Sequence, residues 1–250
     1  MTVRHALVIA PHGGVGAAVA RELRRRGFRV SGAGRTAPET GLVEAFFTID
    51  LATTDWPSLY DHVAETRPLG AVVYAAGAGA FGRTPEIPDG DARETFEVNF
   101  WALAAAARAA AARWERDGTP GCFLAVLSIA GRRAVPYEAW YGASKAAAAR
   151  FLEALQLEVP PNVRLVPAYP GLIATGFRDR SRWHGRSPDR TGGGASPEAT
   201  AAALCDLLEG SRRVRVLGWR ERAIDLADRL APGLYDRLVL RRRLSRVSGE

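Results

Sequence analysis

A tyrosine and a lysine four residues apart, Tyr141 and Lys145, form the most distinctive chemical pair in this chain. Residues separated by four positions lie on the same face of a helix. Lys145 is the only lysine in a sequence that otherwise uses arginine for positive charge. An ammonium group is compact and its pKa can be shifted, whereas a guanidinium stays charged and planar. We therefore expect Lys145 to take part in chemistry with Tyr141; a surface lysine retained by chance is the alternative.

A glycine-rich turn lies between an apolar run, Ala6–Ala10, and a helical pattern, Ala17–Arg26. Its residues are Gly13-Gly14-Val15-Gly16. Glycines here let the backbone approach a pyrophosphate, which the free N–H groups of the helix N-terminus can hold. Any tight strand-to-helix turn needs glycine, but the position after the first strand favours dinucleotide binding.

Arg35 follows the second predicted strand, Phe28–Ala33, where the adenosine ribose of a dinucleotide would lie. Gly34 provides no carboxylate for a free 2′-hydroxyl, whereas a guanidinium pairs well with a 2′-phosphate. A solvated surface arginine is the alternative. The pattern favours NADP over NAD.

Strand and helix patterns alternate along most of the chain. The further predicted strands are Phe46–Asp50, Ala71–Tyr74, Phe123–Leu127, Val163–Pro167 and Arg213–Leu217. The further predicted helices are Asp55–Thr66, Ala92–Arg116, Tyr141–Glu158 and Pro197–Leu208. Because no linker interrupts them, residues 1–250 are predicted to form one α/β domain built on a doubly wound parallel sheet of about seven strands.

Two segments depart from this alternation. Residues 172–196 lose periodicity and are predicted to form a lid over a substrate. The segment Trp219–Leu230 is predicted to be an amphipathic helix, with Leu226 on its apolar face, that begins a C-terminal extension over residues 219–245. We favour packing of this helix over the substrate side or on another subunit, and its basic character leaves contact with an anionic membrane as the alternative.

The net charge of +7 makes nucleic acid or an anionic membrane a partner to consider. The arginines are mostly scattered and no nucleic-acid-binding motif accompanies them, so we predict no nucleic-acid binding. Cys122 and Cys205 have neither disulfide nor metal-site spacing and are expected to be buried. No signal peptide is expected before the first strand, and no apolar run is long enough to span a bilayer, so a cytoplasmic protein is expected.

Several further motifs complete a pattern that resembles the classical short-chain dehydrogenase/reductase family. In chain order they are Gly14-x-Gly16, Asp50, Ala75-Ala76-Gly77, Asn99, Ser128, Tyr141-x-x-x-Lys145 and Pro170-Gly171-Leu172-Ile173-Ala174-Thr175. The resemblance runs from about residue 5 to 210 in the family's order, with Ser128 13 residues before Tyr141. It implies a Rossmann fold with strand order 3-2-1-4-5-6-7.

By that resemblance, the catalytic residues would be Asn99, Ser128, Tyr141 and Lys145, which serve hydride transfer between a nicotinamide and a carbonyl or secondary alcohol. Tyr141 would exchange a proton with the substrate oxygen, with its phenolate stabilised by Lys145 and the oxidised nicotinamide. Lys145 would also bind the nicotinamide ribose. Ser128 would hydrogen-bond the substrate carbonyl, and Asn99 would help place a water behind Lys145.

The resemblance also implies NADPH/NADP+ as cofactor, with NADH/NAD+ less favoured, and a homodimer or homotetramer. Asp50 would receive the adenine amine, and Thr175 would hold the carboxamide. The implied cofactor-binding residues are Gly14, Val15, Gly16, Arg35, Asp50, Leu51, Ala76, Gly77, Tyr141, Lys145, Pro170, Gly171, Ile173 and Thr175.

The chain departs from the family pattern in three places. Ala10 takes the position of the family's first glycine, Pro11-His12 follow it, and Tyr74-Ala75 stand where two asparagines are usual. The usual C-terminal ending is also missing. A catalytically weak NADP-binding regulator or scaffold, or an enzyme that uses the site for epimerisation or dehydration, are therefore alternatives to a reductase.

The substrate is predicted to be an apolar or ring-bearing carbonyl compound or alcohol, because aromatic residues are expected around the site. The arginines there leave an anionic substrate open. The predicted pocket residues are Phe81, Arg132, Arg133, Trp140, Phe177, Arg178 and Trp183.

Overall fold

The computed structural model describes residues 4–185, 194–210, 215–231 and 233. Its strands are β1 His5–Ile9, β2 Arg29–Gly34, β3 Ala45–Thr48, β4 Leu69–Tyr74, β5 Ala80–Gly82, β6 Gly121–Val126, β7 Val163–Tyr169, β8 Arg182–His184 and β9 Arg215–Val216. Its α-helices are α1 Gly14–Arg25, α2 Trp56–Ala64, α3 Asp89–Phe96, α4 Ala102–Asp117, α5 Ala139–Glu158, α6 Pro197–Glu209 and α7 Trp219–Leu230.

Seven parallel strands form the central sheet in the order β3-β2-β1-β4-β6-β7-β9. Numbered among themselves, these strands have the predicted order 3-2-1-4-5-6-7, so the doubly wound fold is confirmed. Residues 213 and 214 of the last predicted strand lie outside the described residues. The strand order reverses between β1 and β4, and in such sheets ligands bind at the carboxyl ends of the strands beside that point.

Helices cover both faces of the sheet. The side chains of Leu7 and Ile9 lie in one core cluster, which also holds apolar residues of α2, α4 and α5. Those of Ala6 and Val8 lie in the other, with residues of α1 and α6. This alternation in β1, whose residues are all buried, explains its continuous apolar run: both faces of the strand lie against helices. The two cysteines are buried as expected.

The predicted helix over residues 92–116 is wrong in its continuity. The chain becomes helical at Asp89, and a π-helical turn, Glu97–Trp101, separates α3 from α4. The hydroxyl of Tyr74 donates a 2.8 Å hydrogen bond to the Val98 carbonyl within this turn. A π-turn inside a helix is often associated with a functional site, and here β4 anchors it.

The segment predicted as an unstructured lid contains regular structure. Strand β8 pairs in parallel with β5 as a second, two-stranded sheet, in which Phe81 is the partner of Trp183. Ile173 and Ala195 form an isolated bridge that brings the ends of the segment together. Residues 186–193 of the lid lie outside the described residues, as do residues 234–245 of the predicted C-terminal extension.

Most of the charge in the arginine triplet at residues 24–26 is paired with carboxylates. Arg25 and Arg26 both pair with Glu22, and Arg26 also pairs with Glu209. The absence of nucleic-acid binding remains a prediction. A second arginine triplet, residues 241–243, lies outside the described part of the chain. No helix within the described ranges is long and apolar enough to cross a membrane.

Candidate active site

A cavity of about 970 Å³ lies at the carboxyl ends of the central strands. Every site residue predicted from the sequence lines its wall except Gly16 and Asn99. The fold therefore brings together residues that span the chain from the glycine turn to the start of the lid. A volume of this size lies at the upper end of the range for small-molecule and cofactor sites.

The glycine turn presents the N-terminus of α1 to this cavity. Gly13 is the N-cap residue, no side chain caps the helix, and no acidic residue stands in its first turn. The first N–H groups of α1 and its positive dipole end are thus available to an anion. Gly16 lies behind the turn, where a Cβ would collide with the Ala10 carbonyl. Ala10 itself adopts a φ of 63°, in the left-handed region.

The segment predicted to be a lid, residues 172–196, approaches the glycine turn closely. A Cβ added to Gly14 would lie 3.2 Å from Cβ of Thr175. Its φ of +51° is also one that glycine adopts at no cost. This turn and the first residues of the lid therefore form two walls of one narrow cleft.

A basic cluster lines the part of the cavity where β2 ends. Arg35 and Arg180 are both exposed and line the cavity with His12. Partial loss of solvent around its ring lowers the pKa of His12, and the neighbouring Arg180 and Arg35 guanidinium groups lower it further. A guanidinium nitrogen of Arg180 lies 4.0 Å from the position of a Cβ on Gly13. Sequence reasoning missed Arg180 because the lid is rich in arginines and no spacing singles one out.

Ser128 and Tyr141 meet at the end of β6. The Ser128 hydroxyl accepts a 3.1 Å hydrogen bond from the Ala130 N–H, which fixes its position. Burial raises the pKa of Tyr141, and the Glu138 carboxylate raises it further. A hydrogen bond with Ser128 and the Arg178 charge act in the opposite direction. Tyr141 consequently holds its proton at neutral pH.

Lys145 is almost completely buried, with 2% of its surface exposed. Its Nζ donates a 3.2 Å hydrogen bond to the Val126 carbonyl and lies 5.8 Å from the ring centroid of Tyr141. Burial lowers the pKa of Lys145 to about 7. In this structure, the hydrogen bond that favours the Tyr141 phenolate comes from Ser128, while the ammonium group of Lys145 bonds to a backbone carbonyl.

Asn99 lies in the π-helical turn and has no exposed surface. Its Oδ1 accepts a hydrogen bond of 3.0 Å from the Ala78 N–H, and its Nδ2 donates to the Ala78 carbonyl at 2.8 Å. The same Nδ2 donates to Ser144 Oγ, whose hydroxyl donates to the Tyr141 carbonyl. The Asn99 side chain therefore fixes the backbone after β4 to the helix that carries Tyr141.

Aromatic side chains surround the Tyr141 ring on the lid side. Phe81 lies edge-on at 5.3 Å between centroids, and Phe177 lies at 5.9 Å. Both line the cavity. Trp183 lies behind Phe81, at 4.9 Å between ring centroids. Contrary to the prediction, it does not line the cavity.

A buried ion pair closes this aromatic wall. The Arg178 guanidinium bonds to the Glu138 carboxylate, whose side chain is 7% exposed. The guanidinium carbon also lies 5.2 Å from the Phe81 ring centroid and 5.7 Å from that of Trp183. Sequence reasoning missed Glu138, because an acid three residues before Tyr141 has no spacing that marks it.

Two predicted pocket residues have other roles. Arg132 bonds to Asp225 of α7 at 2.6 Å, and its guanidinium carbon lies 4.8 Å from the Tyr169 ring centroid. Trp140 packs in a small cluster that includes Ile87. Both predictions are wrong because these side chains are used in packing, outside the cavity wall.

Helix α7 contributes a carboxylate to the cavity. Glu221 lines the wall, and a Cβ on Gly171 would lie 2.5 Å from its Oε1. The helix thus lies over the substrate side, as favoured from the sequence. Its contacts there are made by the acidic side chains Glu221 and Asp225, on the side opposite the apolar face that holds Leu226.

Comparison with known proteins agrees with this geometry. The profile of the family described as short chain dehydrogenase matches residues 4–184. A protein of Bacillus subtilis (strain 168) described as uncharacterized oxidoreductase YxnA is 28% identical over 176 residues, which cover 66% of this chain and 48% of that protein. The chain therefore spans about half the length of this relative. The D-erythrulose reductase of Gallus gallus is 28% identical over 177 residues, which cover 69% of this chain and 72% of that protein.

A solved structure shares the whole fold. A short chain dehydrogenase from Burkholderia cenocepacia J2315, solved in complex with NADP, superposes with a TM-score of 0.78. It is 24% identical, and the match covers 95% of this chain and 98% of that one.

Proposed function

We propose that this chain, which belongs to the short chain dehydrogenase family, is an oxidoreductase and specifically an NADPH-dependent reductase that interconverts a carbonyl and a secondary alcohol. One observation carries the proposal. Ser128, Tyr141 and Lys145 meet in a single cavity that also holds the uncapped N-terminus of α1.

The walls of the cavity fit a nicotinamide dinucleotide. Gly77 lines the cavity close to two of the proposed catalytic residues: the position of a Cβ on it lies 3.5 Å from Asn99 Oδ1 and 3.6 Å from Lys145 Nζ. The α1 N-terminus would hold the pyrophosphate. Arg35 and Arg180 would hold a 2′-phosphate by charge-assisted hydrogen bonds, and the NADP bound to the Burkholderia protein supports this preference. The bound nicotinamide would supply or accept the hydride.

The remaining contacts follow the positions of the lining residues. Asp50 and Leu51, which follow β3, would contact the adenine; Ala76 follows β4, and Val15 lies in the first turn of α1. Pro170, Gly171, Ile173 and Thr175 follow β7 and would hold the nicotinamide end.

In the reductive direction, Tyr141 supplies the proton. The carbonyl carbon gains a hydride, and the carbonyl oxygen takes the proton from the Tyr141 hydroxyl, which yields the alcohol. Burial and the Glu138 carboxylate keep the pKa of Tyr141 high, so the hydroxyl is protonated when the substrate arrives. Ser128 hydrogen-bonds the same oxygen. Lys145, whose pKa is lowered to about 7, can return a proton to the tyrosine near neutral pH.

The substrate side favours an apolar or ring-bearing compound. Phe81 and Phe177 present aromatic surface beside Tyr141. The Arg178 charge is already paired with the buried Glu138 carboxylate, so its attraction for a substrate anion is largely compensated. An anionic substrate is correspondingly disfavoured at this wall.

We further propose that the protein assembles as a homodimer or homotetramer. The alanines of α4 are mostly buried within the protomer, so they offer little contact surface. Trp101, the last residue of the π-helical turn before α4, is 59% exposed and lies against Phe100 at 4.6 Å between ring centroids. An exposed tryptophan beside other aromatic side chains is typical of subunit contacts.

The proposal is tested by cofactor binding and turnover together. A melting-temperature screen with NADPH and NADH should show the larger shift with NADPH. A carbonyl panel should then include ketones whose addition consumes NADPH and yields an equal amount of alcohol. A protein that is stabilised by NADPH but consumes none with any ketone would be a binding protein. Product without cofactor consumption would instead indicate epimerisation or dehydration.

A further inference from the structure

Helix α7 carries an apolar stripe that points away from the protein. Trp219, Leu226 and Leu230 are 74%, 57% and 76% exposed. Their spacings of seven and four residues place them on one side of the helix. Ala223 lies between them on the same side and is also exposed. Three large apolar side chains concentrated on 12 residues of exposed helix are more than scattered surface hydrophobics, and such patches mark interaction surfaces.

The acidic side chains of α7 turn inward. Asp225 is paired with Arg132, and both side chains are nearly buried, at 13% and 12% exposed. Glu221 lines the active-site cavity. Asp228 is half-buried. The helix is therefore held to the protein by its polar face, the reverse of an ordinary surface helix, which buries its apolar face.

The charges left on the outer side are arginines. Arg222 and Arg229 flank the apolar stripe on one side, and Arg220 flanks it on the other. All three residues are exposed, and Arg229 also forms an ion pair with Asp225 at 3.3 Å, which leaves Arg220 and Arg222 as the main outward charges. An outward apolar stripe between rows of guanidinium groups is the pattern of a helix that lies in the plane of a membrane interface.

We propose that this stripe, Trp219, Leu226 and Leu230 between flanking arginines, seats α7 on an anionic lipid surface. Charge complementarity favours lipid over a second copy of the chain. Two copies meeting through the stripe would bring Arg220 and Arg222 of both chains together, while the helix carboxylates lie on the inner side, where Asp225 already pairs with Arg132 and Arg229. Anionic headgroups would instead neutralise the same arginines while the apolar side chains enter the acyl boundary.

Binding of α7 to a lipid surface would place the active site beside the lipid. Glu221 on the inner side of α7 lines the same cavity as Tyr141, and Asp225 ties the helix to Arg132. A protein held by the outer side of α7 would therefore present this end of its cavity toward the membrane surface. The inference goes beyond the proposed reductase activity and does not depend on it, since lipid binding requires no cofactor.

Vesicle flotation of the full chain tests the proposal. We expect binding to vesicles of equal parts phosphatidylglycerol and phosphatidylcholine, much weaker binding to pure phosphatidylcholine, and release at high salt. The triple variant Trp219→Ser, Leu226→Ser, Leu230→Ser keeps every charge. It should lower partitioning onto the anionic vesicles by at least about tenfold, because it removes the apolar groups that insert. Its melting temperature and NADPH binding should match those of the wild type, since all three side chains are exposed.

Matched single variants separate the stripe from general surface apolarity. Leu230→Ser should weaken vesicle binding, whereas Leu157→Ser, at an equally exposed leucine on α5, should leave it unchanged. Equal binding of the triple variant and the wild type would overturn the proposal, because basic charge alone would then explain it. A triple variant that changes protomer number in light scattering while keeping vesicle binding would overturn it in favour of a second copy.

Discussion

Replacing Lys145 with methionine should make the cofactor-free protein more stable while abolishing its reductase activity. Lys145 is 2% exposed, and within the described residues its ammonium group donates a hydrogen bond to the Val126 carbonyl. Burial lowers its pKa from 10.5 to about 7, a difference of about 3.5. At about 1.4 kcal/mol for each pKa unit, burying the charge costs on the order of 5 kcal/mol at acidic pH and slightly less at pH 7. Methionine has a similar length and no charge.

The hydrogen bond that the variant loses offsets part of this gain. A bond of this kind contributes about 1 kcal/mol, so Lys145→Met should raise the free energy of unfolding by about 4 kcal/mol at pH 7. Between pH 7 and 10.5 the unfolded wild-type chain binds the lysine proton and the folded chain does not. The wild type therefore gains stability as pH rises, and its deficit should shrink by about 1.4 kcal/mol per pH unit across that window.

Urea denaturation of both proteins at pH 7, 8 and 9, without cofactor and at one protein concentration, measures the difference. Arg150→Met is the matched control, because it removes an exposed cation, 85% accessible, from the same helix. It should change the free energy of unfolding by less than about 0.5 kcal/mol. A Lys145→Met protein that is less stable than the wild type at pH 7, or a difference that does not vary with pH, would refute the idea that Lys145 is a buried charge retained for function.

Four further substitutions probe the turn, the cofactor preference and the assembly. Ala10→Gly should relieve the left-handed backbone strain at φ 63° and raise the melting temperature by roughly 2–4 °C, which corresponds to about 1 kcal/mol. The control Ala33→Gly, in the adjoining strand, should lower the melting temperature. A lower melting temperature for Ala10→Gly would show that Ala10 is not strained. Arg35→Gln and Arg180→Gln should each weaken NADPH binding by about tenfold in titration calorimetry and leave NADH binding nearly unchanged, and an equal loss for both cofactors would rule out a 2′-phosphate contact. Trp101→Glu should reduce the molar mass in light scattering to that of a smaller assembly, and an unchanged mass would exclude this surface from the subunit contact.

The sheet and the location of the site could be predicted from the sequence because both depend on strongly patterned residues. Apolar runs such as Ala71–Tyr74 identify buried strands, since a strand covered on both faces has no polar side to interrupt the run. The chemically distinctive residues, such as Ser128, directly follow these runs. Parallel strands end at the same edge, so residues that are far apart in the chain converge there.

The break between α3 and α4 could not be predicted, because a π-turn changes hydrogen-bond partners without changing composition. Nothing in Glu97–Trp101 distinguishes it from ordinary helix. The role of Asn99 was hidden for the same reason: its side chain bonds to Ala78 and Ser144, which only the folded chain brings near. The position of Arg132 could not be predicted either, because it depends on an ion pair with Asp225 that holds the side chain outside the cavity wall.

The orientation of α7 shows a limit of periodicity. The sequence identifies the apolar stripe that holds Leu226, but a hydrophobic period is the same whether the stripe faces inward or outward. Tertiary contacts on the opposite side of the helix turn the stripe outward. Asp225 pairs with Arg132, which is nearly buried, and the Glu221 side chain packs beside Gly171. These two contacts depend on residues some 50 to 90 positions earlier in the chain.

The most direct test of the reductase is stoichiometric oxidation of NADPH by the wild type and by Tyr141→Phe, with a ketone selected from the carbonyl panel. The variant removes one oxygen atom, the proposed proton donor, and leaves the aromatic packing against Phe81 in place. We expect turnover to fall at least about a thousandfold, while the NADPH-induced shift in melting temperature stays close to that of the wild type. Turnover by Tyr141→Phe at the wild-type rate would contradict the central role of Tyr141.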